Sequence, residues 1–104
     1  MNTFDNKYGI SNIEIKYDLQ CFCPLGLDYY TAHFVIDVDT KDTLVDFSDI
    51  VKFLNGLIRG EYIVEELVGI VFTEIKEQYC PDYLSVTATV DNAGHLPVKV
   101  TKTM

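Results

Sequence analysis

A chain of 104 residues can fold around one two-layer core but is too short for a separate cofactor domain, so any large site would have to be shared between copies. Sixteen acidic residues against eight basic give a formal charge of −8 and a pI near 4.4 with no Lys/Arg cluster, which disfavours direct nucleic-acid binding because phosphate backbones are repelled. The three cysteines are an odd number; with no charged-then-apolar leader and no apolar run near the roughly 20 residues that span a bilayer, they predict a cytoplasmic protein with reduced thiols and no membrane partner.

The segment Met1 to Gly9 is polar and is expected to be flexible at its tip, with Phe4 and Tyr8 as its anchors. From Asn12 the pattern changes. Ile13, Ile15, Tyr17, Leu19, Cys21 and Cys23 alternate with Glu14, Lys16, Asp18 and Gln20, the period-two signature of a strand with one buried face. After a Pro24-Leu25-Gly26 turn, Tyr30 to Val38 reads as a second strand with Ala32, Phe34, Ile36 and Val38 on one face and His33 on the other. The short connection makes the two strands antiparallel.

Asp39 to Thr43 is a polar turn, after which Phe47, Ile50, Val51, Leu54, Leu57 and Ile58 recur at helical spacing. Asp46 or Ser48 supplies the N-cap, Asp49 suits the first turn, and the helix should end between Gly56 and Gly60. A second helix is predicted from about Ile63, with Ile63, Leu67, Ile70, Val71, Phe72 and Ile75 inward, stopped at Tyr79-Cys80-Pro81. Leu84, Val86, Ala88 and Val90 mark a third strand, Asp91 to Gly94 a turn, and Leu96, Val98 and Val100 a fourth. The order is strand, strand, helix, helix, strand, strand: an α+β domain spanning residues 1–104, with two helices on one face of a four-stranded antiparallel sheet.

The run Cys21 to Tyr30 carries the chemistry. It places thiols and a carboxylate on one short loop, and a thiol acts as a nucleophile only once its proton, held with a pKa of about 8.5, is removed. Asp28 could take that proton or donate one; equally, Cys21 and Cys23 could be small buried apolar groups at a strand end. Glu65 and Glu66 open the second helix. They either complement the helix dipole on a solvated face or, for Glu65, offer two acceptor oxygens to adjacent donors of a ligand.

Cys23-Pro24, Gly26 and Asp28-Tyr29, followed by Ile63-Val64-Glu65-Glu66-Leu67 and Pro81-Asp82-Tyr83-Leu84-Ser85-Val86, together resemble the tunnelling-fold (T-fold) family. The likeness is nearest to its QueF branch, the 7-cyano-7-deazaguanine reductases and their archaeosine-forming amidinotransferase relatives. It runs from about Ile13 to Val100, and it rests on the ordered spacing rather than on any single motif. The resemblance implies a ββααββ subunit whose sheets join into barrels, with sites between subunits. It implies Cys23 and Asp28 as catalytic residues, the first adding to the nitrile carbon as a thioimide and the second protonating nitrogen, and Glu65 as the substrate anchor.

Three departures from the reductases stand out. The Cys-to-Asp segment is shorter, Val64 replaces the histidine before the anchoring Glu, and Val45-Asp46-Phe47-Ser48-Asp49 lacks the lysines that hold NADPH. Two carboxylates there would repel its phosphates, so no cofactor is expected. The amidinotransferase branch needs no NADPH but acts on tRNA, which the charge disfavours. The alternative to a QueF-like enzyme is a catalytically silent purine- or pterin-binding or assembly module of the same fold.

Cys21, Cys23, Cys80, His33 and His95 have no usual zinc spacing. Asp46-Phe47-Ser48-Asp49-Ile50 resembles a run of the pyruvoyltetrahydropterin synthases, but their zinc-binding His triad is absent. Open sheet edges, and apolar residues including Phe22, Tyr30 and Val35 assigned to the face away from the helices, predict a homo-oligomer closed into a barrel.

Overall fold

The structure is a computed structural model that describes residues 1–93 and 96–104. Its elements are β1 (Thr3–Asp5), β2 (Asn12–Cys23), β3 (Asp28–Asp39), β4 (Thr43–Val45), α1 (Phe47–Asn55), α2 (Val64–Tyr79), β5 (Tyr83–Ala93) and β6 (Leu96–Thr103). The main sheet has the order β2-β3-β5-β6 and every pairing in it is antiparallel. This is the expected α+β arrangement, with two helices inserted between the strand pairs β2-β3 and β5-β6 in a ββααββ order. A two-stranded sheet that the periodicity did not disclose, β1 with β4, is added where Thr3–Asp5 pairs with Thr43–Val45. Three-residue strands are too short to show a period, so only the pairing reveals them.

The core lies between the helices and the inward face of the sheet. Leu19, Ala32, Ile36, Val38, Leu84, Val86 and Ala88 are fully buried from the strands, and Ile50, Leu54, Leu67, Val71 and Ile75 from the helices. α2 packs on β5 and β6, whereas the end of α1 reaches β2 through a hydrogen bond from Tyr17 Oη to Asn55. Asp46 is the cap of α1, its carboxylate accepting from the Ser48 and Asp49 amides. Those bonds, with the one from the Ser48 hydroxyl first among them, hold its carboxyl below the usual carboxylate range. Cys80 ends α2 in the left-handed conformation, φ 46°, immediately before Pro81.

Several expectations need correction. Phe47, Val51 and Ile58 are exposed: the buried stripe of α1 is centred on Ile50 and Leu54, from which Val51 lies roughly a quarter turn round the helix, while Phe47 is the first residue of α1 and Ile58 lies beyond its end at Asn55. In α2 it is Val68, not Ile70, that is sealed in. Asp91 to Ala93 are strand rather than turn, while Gly94 and His95 lie outside the described residues. Tyr30 is a Cα partner of Cys21 and so shares the helix-covered face, not the opposite one. That opposite face is mainly polar. Ser85 and Thr103, and Thr87 and Thr101, face each other across β5 and β6 at 3.5 and 3.0 Å, and Lys16, Asp18, Gln20, Thr31 and His33 continue it across β2 and β3. No helix among the described residues is long and apolar enough to cross a membrane.

Candidate active site

The site is built where β2 ends and the connection between the helices returns to it. Residues 59–62 run beside the end of β2. Arg59 N–H donates to Gln20 O at 2.7 Å, Phe22 N–H to Gly60 O at 2.9 Å, and Tyr62 N–H to Phe22 O at 3.0 Å. This covers the edge of β2 and makes a parallel bridge between Phe22 and Glu61. It also brings Ile63 and the first turn of α2 up to Cys23. Arg59 takes φ 61° to make the turn into this segment.

Cys23 and Asp28 are directly paired Cα partners that close the β2–β3 hairpin, and paired residues of antiparallel strands project to the same face. Between them, Leu27 N–H donates to Cys23 O at 2.8 Å, and Leu27, not Gly26, is the left-handed residue of the turn, φ 55°. Gly26 contributes its N–H to Cys23 Sγ at 3.4 Å, which fixes where the sulfur sits. Asp28 Oδ1 accepts from the amide of Tyr29 at 2.8 Å. The carboxylate is thereby held by the backbone of the next residue.

Cys23 stands at the junction of two clefts. One, of about 370 Å³, is lined by Cys23, Leu25, Gly26, Tyr30, Ile63, Val64, Glu65 and Val90; it therefore joins the thiol to the carboxylate at the start of α2. The second, of about 410 Å³, joins Cys23 and Asp28 to Gln20, Thr31, His33 and Asp91. Cys23 is the predicted site residue that the two clefts share, Asp28 lining one of them and Glu65 the other. A larger groove of about 1010 Å³ lies elsewhere, along Phe4, Tyr8, Ile10 and Phe47, and holds none of the three.

The two clefts meet because the sheet opens there. Pairing between β3 and β5 runs from Asp39↔Tyr83 to His33↔Thr89 and stops, while β3 continues to Asp28 against β2 alone. β5 shifts register against β6 between Val90 and Ala93. The fork so formed leaves Tyr30 and Val90 as walls of both clefts. Tyr30 Oη donates to Tyr62 O at 2.6 Å; burial, reinforced by the nearby Cys21, Cys23, Glu65 and Glu66, pushes its phenol well above the usual range, so it serves as a fixed donor. The sequence pattern does not mark Tyr30, Val90 or the 59–62 segment as site elements. The only sequence signal for Tyr30 was its alternation with Ala32 and Phe34.

The other cysteines differ from Cys23. Cys21 is sealed in the core, its Sγ donating to Leu57 O at 3.4 Å, and burial pushes its thiol up. Cys80 is exposed at the end of α2. Among the described residues no three His, Cys, Asp or Glu gather to hold a metal ion. Asp46 and Asp49, the carboxylates of the run without lysines, are engaged internally, Asp49 Oδ2 accepting from the Asn2 amide at 2.7 Å.

No protein-family model matches the chain, and no curated protein matches it by sequence. Among solved structures, the crystal structure of the archaeosine synthase QueF-Like in the apo form is similar to it with a TM-score of 0.82 at 17% identity, over 89% of this chain and 92% of that one. The two share the fold.

Proposed function

We propose that the chain is a divergent QueF-like enzyme of 7-deazapurine metabolism, of the kind that serves queuosine or archaeosine formation, in which Cys23 attacks a nitrile such as that of 7-cyano-7-deazaguanine. The observation that carries this is that Cys23 and Glu65, distant in sequence, line one cleft of about 370 Å³, a volume suited to a single planar base. The likeness in fold to an archaeosine synthase points to the same chemistry.

In this reaction Glu65 accepts the two adjacent N–H groups of the base, which lays the nitrile toward the hairpin. The thiol S–H bond breaks, an S–C bond forms at the nitrile carbon, and the π electron pair moves to nitrogen. Asp28 carries the thiol proton to that nitrogen, giving the thioimide with charge balanced. The site as proposed uses no NADPH and no metal. With a net charge of −8, the ligand is a free purine- or pterin-like molecule rather than RNA. The polar sheet face and the free edge of β6 are satisfied in a closed homo-oligomer, whose neighbour would cover the mouths of the clefts.

Intact-mass spectrometry of the protein incubated with 7-cyano-7-deazaguanine tests this. A covalent adduct is expected in the wild type and not in Cys23→Ala. Binding of the base without any adduct would favour the silent module over the enzyme.

A further inference from the structure

We infer that His33 is a positioning residue of the thiol site: its protonated ring clamps β5 to β3 and β2 at the apex of the sheet fork, and so sets the wall that both clefts share. This rests on the proposed purine-like ligand only for its second readout below.

His33 is the last residue of β3 paired with β5. Its Nδ1 lies 2.7 Å from Asp18 Oδ1 on β2 and its Nε2 lies 3.4 Å from Asp91 Oδ2 on β5. One side chain thus ties three adjacent strands where two of them part. Asp91 follows Val90, which lines both clefts and is the β5 residue they have in common. Holding Asp91 therefore holds Val90 against Cys23 and Tyr30. The neutral ring has one N–H, so only the imidazolium donates to both carboxylates at once.

The charged surroundings agree. β2 presents Asp18 and, one pleat further, Lys16, which is occupied by Glu14 at 3.7 Å. β5 presents Asp91, and β6 beyond it presents Lys99, the partner of Thr89. On β3 itself Asp37 is engaged by Asn12. The Asp18 hydrogen bond first, with the charges of Asp18 and Asp91, raises the imidazole above its ordinary value. The clamp is accordingly complete below about pH 6.5 and is lost as pH rises through the raised value.

Heteronuclear NMR of the full-length protein from pH 5.5 to 8.5 tests the clamp, with His95→Gln separating the two imidazole signals. The amides of Val90, Tyr30 and Cys23 should shift with the midpoint of the His33 ring, and those shifts should vanish in His33→Gln and in Asp91→Asn. Calorimetric affinity for guanine should fall roughly threefold or more between pH 6 and pH 8 in the wild type and be flat in both variants. A His33 titration that leaves Val90 and Cys23 unmoved overturns the inference, as does a guanine pH slope unchanged in the variants. Amide coupling without guanine binding at any pH supports the clamp and counts against the purine ligand.

Discussion

Cys21 and Cys23 lie on the same face of one strand and two residues apart, yet Cys21 is fully buried while Cys23 walls two clefts. What separates them is the covering. Both lie past the last β3–β5 rung, but Cys21 lies beneath the end of the α1 segment, where Leu57 O accepts from it. Cys23 lies at the hairpin turn itself, where the nearest cover is the first turn of α2. The alternation of a strand says which residues share a face; it does not say where along that face the cover ends.

The comparison between the closed middle of the sheet and its forked end can be broken most strongly by cutting into the middle. Phe34→Ala, at 1% exposure, should cost about 3–5 kcal/mol in denaturant unfolding, whereas Tyr29→Ala, 53% exposed at the fork, should cost less than about 1 kcal/mol. Equal losses would mean that the fork is as tightly packed as the core.

Reactivity sharpens the same contrast. In a Cys80→Ser background, which removes the exposed thiol, iodoacetamide followed by peptide mapping should label Cys23 at least roughly tenfold faster than Cys21 in the native protein, with the difference gone in denaturant. Faster native labelling of Cys21 would remove Cys23 as the nucleophile.

Glu65→Gln should weaken guanine binding by about 1.5–3 kcal/mol, the range for hydrogen bonds to a charged group, measured by calorimetry. Unchanged affinity would leave Glu65 as a dipole-complementing residue at the start of α2. Tyr30→Phe should cost about 1 kcal/mol of stability through loss of the bond to Tyr62 O, with the change in hydrogen exchange concentrated at residues 59–62.

The smallest effect concerns Asp46, far from the fork. Its folded-state pKa is lowered, so its contribution is present above the ordinary carboxylate value of about 4 and is lost as pH falls through the lowered one. The acid limb of a thermal-melt series should therefore be shallower in Asp46→Asn, and an identical limb would show that the cap bonds do not depend on ionisation.

The sequence by itself determined the period of each long element, and with it the faces of β2 and β5 and that of β3 from Ala32 to Val38, a cap for α1 at Asp46 or Ser48, and the stop of α2 at Tyr79-Cys80-Pro81. These are local: a side chain's direction follows from its place in a strand or helix, and a cap or a proline acts on its own backbone. The motif spacing also singled out Cys23, Asp28 and Glu65, because residues that share a hairpin or a helix start keep recognisable neighbours. What only the tertiary structure decided was non-local: the return of residues 59–62 to the edge of β2, the parting of β3 from β5 after His33, and the placement of Tyr30 and Val90 between the thiol and its surroundings. The fork depends on how many rungs two strands keep once a third has shifted register, and the return of 59–62 on how far a turn at Arg59 swings the chain. Neither quantity is carried by the hydrophobic pattern of any one segment.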